Sequence, residues 1–265
     1  MKALIKLGGT LLDSPELRAN LAEQIAAEAR RGIEIALVHG GGKQMTRYLA
    51  ERGIESRFVN GLRVTTPETM DAVLKVLAGS VNQELVAALM AAGAQAVGLS
   101  GVDANLVEAE QMDPALGMVG RVTRAHPELL DLLVDRGYLP VVACVAGGRD
   151  GRMYNVNADQ MAAACGAAWS VDRLIFLTDI AGVLDASGHV QPMLTAEDCQ
   201  HLIAAGVATG GMQAKLNAAG TALDAGVAEI EIAPGASPAV LARLLRGEPA
   251  GTKIVRAAQR VTSYD

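Results

Sequence analysis

Aromatic residues are scarce in this chain, although its hydrophobic content is high. Phe, Trp and Tyr make up 3% of the 265 residues, whereas 51% are hydrophobic. Ala, Leu and Val dominate, which suits helices packed on a parallel sheet better than an aromatic-rich β-sandwich. A chain of this length buries about 70–75% of the surface of its unfolded form, so a substantial core is expected.

Cysteine and histidine are also few, and their positions argue against a metal centre. Three cysteines lie far apart in the sequence: Cys144, Cys165 and Cys199. They indicate neither a disulfide framework nor a zinc cluster, and we expect reduced cysteines that pack in the core. Four histidines have no metal-ligand spacing: His39, His126, His189 and His201. No protein-held metal ion is therefore predicted.

The sequence has neither a run of about 18 apolar residues nor a basic-then-apolar leader, so we expect a soluble, cytoplasmic protein without a membrane partner. Its net charge of −6 argues against broad nucleic-acid binding. Anionic small substrates remain possible, because cations in a cleft act within a Debye length of about 8 Å, whereas distant surface charge is screened.

Apolar strands alternate with helical patterns along the chain, which predicts an α/β fold with a parallel sheet and crossover helices. Residues 15–31, for example, carry apolar side chains at helical spacing. Residues 66–92 predict two helices broken near Ala78-Gly79-Ser80, with Thr66 as an N-cap. Residues 102–126 predict a β-hairpin excursion. Without a linker, one domain over residues 1–265 is expected, with lobes of about 1–170 and 171–265.

Two glycine-rich turns near the amino terminus each follow an apolar strand. Residues 3–7 end in Gly8-Gly9-Thr10, and residues 33–39 end in Gly40-Gly41-Gly42. Glycines let backbone N–H groups converge on an anion, and a following helix N-terminus adds partial positive charge. Either turn alone could be an ordinary tight βα connection. The pair, with Lys6 inside the first strand, predicts phosphate chemistry.

Four further segments carry polar groups suited to anionic ligands. The loop 60–65 contains Arg63, whose planar guanidinium could hold a carboxylate through two hydrogen bonds. The segment 155–159 places Asn155, Asn157 and Asp159 at a strand-to-helix junction. A surface position would equally explain Arg63, and helix capping would explain Asn157.

The other two segments lie in the second half of the chain. Lys215 follows Thr209-Gly210-Gly211 by one helical turn, so its ammonium group could reach an anion at the helix start. The polar turn 178–183 ends a strand at the edge where α/β sheets bind ligands. Solvent exposure of Lys215 and a plain turn role for Asp179 are the alternatives.

In their order and spacing, these segments resemble the amino acid kinase family, and within it the N-acetyl-L-glutamate kinases. The resemblance spans essentially the whole chain and rests on residues 6–9, 38–42, 60–65, 155–159, 178–179, 211–212 and 215. The glycine turns alone would indicate only the superfamily. Asn-Gly-Leu-Arg-Val-Thr and Asn-Val-Asn-Ala-Asp narrow it to the N-acetylglutamate enzymes.

The resemblance implies an open three-layer α/β/α sandwich with a mainly parallel sheet. It implies transfer of the γ-phosphoryl group of ATP, supplied with Mg²⁺, to the side-chain carboxylate of N-acetyl-L-glutamate, the second step of arginine biosynthesis. The amino-terminal lobe would bind the acyl amino acid and the carboxy-terminal lobe ATP. Lys6 and Lys215 would flank the migrating phosphoryl group, and Asp159 would hold both ammonium groups.

The resemblance also assigns the binding residues. The acyl amino acid and the phosphoryl oxygens would contact Gly8, Gly9, Gly40, Gly41, Gly42, Arg63, Asn155 and Asn157. The nucleotide would contact Thr178, Asp179, Ile180, Ala181, Gly182, Val183, Val207, Ala208 and Thr209. No residue is assigned to a metal ion.

Two other functions stay open from the sequence, a kinase of a related acyl amino acid such as a carrier-linked aminoadipate, and a non-catalytic nucleotide or amino-acid sensor. In the resembling family, arginine-inhibited members carry an extra N-terminal helix that interlaces dimers into a hexamer. Here Met1 and Lys2 lead straight into the first strand. We therefore expect a homodimer, formed through residues 66–92, that does not respond to arginine.

Overall fold

The first strand of the chain lies in the middle of an eight-stranded sheet. The computed structural model describes residues 1–256. Its strands are β1 (Lys2–Leu7), β2 (Glu34–His39), β3 (Phe58–Val59), β4 (Leu62–Arg63), β5 (Ala96–Ser100), β6 (Val107–Gln111), β7 (Val119–Ala125), β8 (Leu139–Ala143), β9 (Val145–Gly147), β10 (Met153–Val156), β11 (Arg173–Thr178), β12 (Met193–Thr195), β13 (Glu229–Pro234) and β14 (Thr252–Val255). The sheet order is β12-β14-β13-β11-β1-β2-β8-β5. Within the described residues, its neighbouring strands are parallel except β13 and β14.

Helices flank this sheet, which confirms the predicted α/β class. They are α1 (Gly9–Asp13), α2 (Pro15–Arg30), α3 (Gly42–Ala50), α4 (Pro67–Val73), α5 (Asn82–Ala91), α6 (Glu128–Asp135), α7 (Ala158–Ala168), α8 (Ala196–Ala204), α9 (Gly210–Asp224) and α10 (Val240–Leu245). In α2, the Ser14 hydroxyl accepts a hydrogen bond from the Leu17 N–H, and Pro15 occupies the first turn. Leu21 and Ile25 face the core, as their spacing predicts.

Strand β1 is buried almost completely, as a central strand of a parallel sheet should be. Ala3, Leu4, Ile5 and Leu7 are fully buried. Lys6 lies between these apolar residues and is charged, yet it is buried as they are, with only 6% of its surface exposed. The sheet thus carries a cation to the edge formed by the carboxyl ends of its parallel strands.

A second, small sheet projects from the first half of the chain. Strands β6 and β7 form the predicted antiparallel hairpin, and β9 and β10 form another. The four strands join edge to edge in the closed order β10-β7-β6-β9. This closure brings residues 107–125 together with 145–156 and was not predicted, because it depends on pairing between segments distant in sequence.

Residues 67–91 form one long helix, so the predicted break near Ala78 is wrong. Between α4 and α5 the chain is π-helical from Leu74 to Val81. The wider i→i+5 hydrogen bonding keeps the helix continuous past Gly79. The predicted N-cap is confirmed, since the Thr66 hydroxyl accepts a hydrogen bond from the Thr69 N–H at 3.1 Å.

The same helix is long and apolar enough to cross a membrane by length and composition alone. Buried core helices meet these criteria too, and this helix packs against the sheet. Its buried side chains include Met70, Val73, Leu85 and Leu89. We therefore interpret it as a core helix with one partly uncovered face.

Candidate active site

Lys6, Asp159 and Lys215 meet at the carboxyl edge of the large sheet, although they are far apart in sequence. Asp159 Oδ1 lies 2.7 Å from Lys6 Nζ, and Oδ2 lies 3.5 Å from Lys215 Nζ. The three side chains are 6%, 7% and 13% exposed for Asp159, Lys6 and Lys215 respectively. One buried carboxylate therefore holds two ammonium groups.

The charges of this cluster depend on each other. Burial alone would raise the pKa of Asp159, but the two ammonium groups prevail and keep that pKa below its ordinary value. Burial lowers the pKa of Lys215, and the charge of Lys6 adds to this effect, while Asp159 opposes it. Two cations share one anion, so the cluster has an excess positive charge that a further anion would balance.

The two glycine turns lie against each other beside this cluster. A Cβ atom added to Gly9 would lie 3.0 Å from the Gly42 nitrogen and 3.2 Å from the Gly41 nitrogen. Any larger residue at position 9 would therefore crowd the second turn. Gly9 and Gly42 are also the first residues of α1 and α3, so their N–H groups have no acceptor within their own helices.

Two more of the predicted glycines, Gly8 and Gly40, have N–H groups that already have acceptors. The Gly8 N–H donates to the Leu177 carbonyl at 3.0 Å, and the Gly40 N–H donates to the Leu7 carbonyl at 3.3 Å. These bonds continue the sheet ladder beyond the ends of the strands. Gly8 and Gly40 are thus placed beside the cluster with their N–H groups in use.

A cleft of about 230 Å³ opens at this point and gathers most residues predicted to bind the acyl amino acid. Its polar lining comprises Lys6, Gly9, Gly40, Gly41, Gly42, Arg63, Asn155, Asn157 and Asp159. Apolar walls come from residues such as Met45, Leu77 and Val119. The cleft is therefore lined by cationic groups, by backbone and side-chain amides and by apolar side chains.

Arg63 reaches the cleft from a short hairpin, β3–β4, where a loop was predicted. Asn60 and Gly61 form its turn with φ angles of 49° and 78°. Adjacent positive φ values suit a type I′ hairpin turn, for which Asn-Gly is the strongest short-range signal. The dipeptide was visible in the sequence and could have predicted the hairpin.

The guanidinium of Arg63 is held in place by three hydrogen bonds. It donates to Ser56 Oγ at 2.5 Å, to Thr46 Oγ1 at 2.8 Å and to the Gly42 carbonyl at 3.1 Å. It also lies over the Phe58 ring, 4.6 Å from the centroid. Ser56 and Thr46 carried no signal of this role, because their approach to Arg63 depends on how the hairpin docks.

Asn155 and Asn157 have different partners. The Asn155 amide donates to Thr65 Oγ1 at 3.0 Å, which ties the end of β10 to the segment that follows the hairpin. The Asn157 side-chain oxygen accepts from the N–H groups of Asp159 and Gln160, so it caps α7. This cap fixes the helix start on which Asp159 is carried.

The residues predicted to bind the nucleotide lie outside the 230 Å³ cleft. The Thr178 hydroxyl donates to Asp179 Oδ1 at 3.2 Å. Burial would raise the pKa of Asp179, but hydrogen bonds, including that from Thr178, and the charge of Lys43 together lower it. Asp179 also attracts the ammonium group of Lys215, which connects this turn with the charged cluster.

The remaining members of this set differ in exposure. Val183 and Ala208 are buried, so their side chains serve packing, and Val207 is half-buried. A Cβ on Gly182 would lie 2.7 Å from Thr252 Oγ1, which requires glycine there. The exposed members are Asp179, Ile180, Ala181 and Thr209.

Comparisons with known proteins agree with this geometry. Residues 1–234 match the amino acid kinase family. The chain belongs to that family. It is 66% identical to the acetylglutamate kinase of Solibacter usitatus over 257 residues, which cover 97% of this chain and 100% of the relative. It is 44% identical to the acetylglutamate kinase of Acidobacterium capsulatum, in a match that covers 91% of this chain and 94% of the relative.

Solved structures extend the comparison within the amino acid kinase family fold. The smu.665 protein of Streptococcus mutans superposes with a TM-score of 0.84 at 28% identity, covering 96% of this chain and 98% of that one. N-acetylglutamate synthase of Neisseria gonorrhoeae, solved with coenzyme A and N-acetyl-glutamate, superposes with a TM-score of 0.86 at 25% identity. This match covers 96% of this chain and 59% of that one. The expected fold is confirmed.

Proposed function

We propose that this chain transfers the γ-phosphoryl group of ATP to the side-chain carboxylate of N-acetyl-L-glutamate, giving N-acetyl-L-glutamyl 5-phosphate and ADP in arginine biosynthesis. Two relatives named acetylglutamate kinase, 66% and 44% identical, support this substrate. The observation that carries the proposal is the buried pair of lysines around Asp159, beside two touching glycine turns.

The reaction needs positioning and charge stabilisation rather than a covalent intermediate. A carboxylate oxygen forms a bond to the γ-phosphorus while the bond to the β–γ bridging oxygen breaks, and the electron pair leaves with ADP. Lys6 and Lys215 would stabilise the charge of the migrating group from two sides. The N–H groups of Gly9 and Gly41 would hold its oxygens, whereas the Gly8 N–H, expected in the same role, donates to the Leu177 carbonyl. Asp159 would keep both ammonium groups in place.

Arg63 and Asn155 would bind the amino-acid part of the substrate in the amino-terminal lobe, about residues 1–170. A guanidinium has five N–H groups, and three hydrogen bonds hold Arg63 to the protein. The remaining donors can bind a carboxylate. ATP would lie on the carboxy-terminal lobe, about 171–265, against residues 178–183 and 207–209.

Mg²⁺ would enter as the complex with ATP. Among residues 1–256, no three His, Cys, Asp or Glu side chains are grouped to hold a metal ion. Mg²⁺ in kinase sites is commonly bound by substrate phosphates with one or two carboxylates. Asp179 is an exposed carboxylate near Lys215 that could be one such ligand.

The same proposal includes a cytoplasmic homodimer. The last turns of the helix 67–91 expose the apolar residues Ala87, Met90 and Ala91 on one face, with Met90 52% exposed. Exposed apolar surface on one face of a helix is typical of an interface between subunits. No nucleic-acid or membrane partner is proposed.

A hydroxamate assay tests the activity, because hydroxylamine traps acyl phosphates. We expect hydroxamate from N-acetyl-L-glutamate with ATP, and little from glutamate, aspartate or N-acetylaspartate. Preference for a carrier-linked aminoadipate would favour the neighbouring kinase. Absence of product from every acceptor, with ATP binding retained, would favour a sensor.

A further inference from the structure

A buried polar pair lies beneath the second glycine turn and has no role in the scheme above. His39, the last residue of β2, is fully buried, and Asn82, the first residue of α5, is 1% exposed. Asn82 Nδ2 lies 3.0 Å from His39 Nε2, and His39 Nδ1 lies 2.9 Å from the Gly40 carbonyl oxygen. Buried polar groups are costly unless paired, so this chain of hydrogen bonds needs an explanation.

The partners determine which ring nitrogen carries the proton. Asn82 Nδ2 also donates to the Val141 carbonyl at 2.9 Å and lies 3.5 Å from the Leu99 carbonyl, so the nitrogen of the amide, not its oxygen, faces these acceptors. Its second hydrogen goes to the nearer of the two other acceptors, His39 Nε2 at 3.0 Å, which therefore carries no hydrogen itself. The Gly40 carbonyl can only accept, so Nδ1 carries the hydrogen and donates it. Burial lowers the pKa of His39 to about 4, so the ring is neutral at neutral pH.

This hydrogen bond orients a peptide group of the turn. The Gly40–Gly41 peptide is trans, as are all peptides of the described residues, and the C=O and N–H of a trans peptide point in opposite directions. With the Gly40 carbonyl held toward His39, the Gly41 N–H points away from the ring. Gly41 lines the cleft, and no hydrogen bond from its N–H occurs within residues 1–256.

The long helix holds Asn82 in register with the histidine. Asn82 follows directly after the π-helical segment Leu74–Val81, whose wider turns rotate the following residues around the helix axis. A Cβ on Gly41 would lie 2.5 Å from Leu77 Cδ2, so this segment also packs on the turn itself. A Cβ on Gly98 would collide with Asn82 Oδ1, so glycine there makes room for the amide.

We propose that His39 and Asn82 are positioning residues that hold the Gly41 N–H toward the phosphoryl group during transfer. The expected effect on kcat rests on the proposed phosphoryl transfer. The hydrogen bonds of His39 and Asn82 do not depend on that proposal. A donor that is prealigned toward developing charge lowers the barrier without reorganisation. Loss of the alignment should therefore affect kcat more than substrate binding.

The first test measures the ring directly and needs no substrate. In protein labelled with ¹⁵N-histidine at pH 7, the side-chain resonances lost in the His39→Asn variant identify His39. We expect a neutral ring protonated at Nδ1. A ring protonated at Nε2, or at both nitrogens, overturns the proposal, whatever the outcome of the hydroxamate assay on the wild type.

The second test compares substitutions. His39→Leu should lower kcat at least about tenfold with both KM values changed less than about threefold. His39→Asn, whose amide can replace the Nδ1 donor, should recover part of that loss. His126→Leu is the matched control, because His126 bonds Glu108 outside the cleft, and it should keep wild-type kcat. Equal kcat for the wild type and His39→Leu, or no recovery with asparagine, overturns the proposal.

The pair should act as one unit. Asn82→Leu should lower kcat in the same direction, and the His39→Leu/Asn82→Leu double variant should lose about as much as His39→Leu alone. Fully multiplicative losses would contradict a shared role. If leucine at position 39 prevents folding, the ring measurement and the asparagine variant decide the matter.

Discussion

Lys6 and Lys215 share one carboxylate but are bound at different distances, 2.7 and 3.5 Å. We expect Lys6→Ala and Lys215→Ala each to lower kcat at least about 100-fold, because each removes charge stabilisation needed mainly in the transition state. Steady-state kinetics with the hydroxamate assay measures this. Lys253→Ala is the control, since Lys253 pairs with Glu229 away from the cleft. Near wild-type turnover in both variants would refute the phosphoryl-transfer role.

Arg63 should act on binding rather than on turnover. Arg63→Ala should raise KM for N-acetyl-L-glutamate about tenfold or more with little change in kcat, because a carboxylate clamp serves ground and transition states alike. Arg63→Lys should give an intermediate KM, since lysine keeps the charge but loses the planar fork. Arg57→Ala, an exposed arginine beside the same hairpin, should change neither constant. An unchanged KM with a collapsed kcat would overturn this role.

His39 should make stability depend on pH. Its pKa is lowered in the folded state, so its contribution to stability is present above its ordinary pKa of 6.5 and is lost as pH falls toward about 4. Because the unfolded chain takes up this proton and the folded chain does not, the free energy of unfolding should fall by roughly 3 kcal/mol over that range. Urea unfolding of the wild type and His39→Asn between pH 7 and pH 4 measures the difference. If the free energy of unfolding changed with pH in the same way in both proteins, a neutral buried ring would be contradicted.

Helix α7 carries Asp159 on its first turn, so the position of the carboxylate depends on the cap. Asn157→Ala should lower the free energy of unfolding by about 1 kcal/mol and should also lower kcat. Asn157→Ser restores a capping oxygen and should recover both quantities. Recovery of stability with a persistently raised KM would show instead that Asn157 contacts the substrate.

Individual elements were predictable where local signals and tertiary packing agree. The buried strands β1, β2 and β11 and the capped helices α2 and α7 follow from apolar runs, helical spacing and capping residues. The π-helical segment could not be predicted in this way, because Gly79 indicates a local break while packing against the sheet keeps the helix intact. Strands β12 and β14 were also missed, since strands of three and four residues are too short to show a periodic pattern.

At the level of the whole molecule, the candidate site was predictable in its charged residues and unpredictable in their supports. Lys6, Asp159 and Lys215 carried motif signals. The partners of Arg63 and the contact of Asn82 with His39 carried none. Those contacts span from 7 residues, between Arg63 and Ser56, to 43 residues, between Asn82 and His39, and their geometry exists only after the long helix and the hairpin have docked.

Assembly is testable at the same scale. Light scattering should give a mass twice the 27.4 kDa of one chain. Met90→Asp should yield monomers, because a charge on the exposed face of the helix opposes burial between subunits. Leu132→Asp, at an equally exposed apolar residue on α6, should leave the dimer intact. A wild-type hexamer or monomer would contradict the proposed homodimer.

The central strand also sets the order in which this protein can fold during translation. β1 pairs with β2, made soon after it, and with β11, which ends at residue 178 of 265. Until β11 leaves the ribosome, one edge of β1, a strand with four apolar residues among its six, has unpaired N–H and C=O groups, which favour pairing with foreign strands. We therefore expect nascent chains to be open to pairing with other chains until β11 has been made, well after the glycine turns.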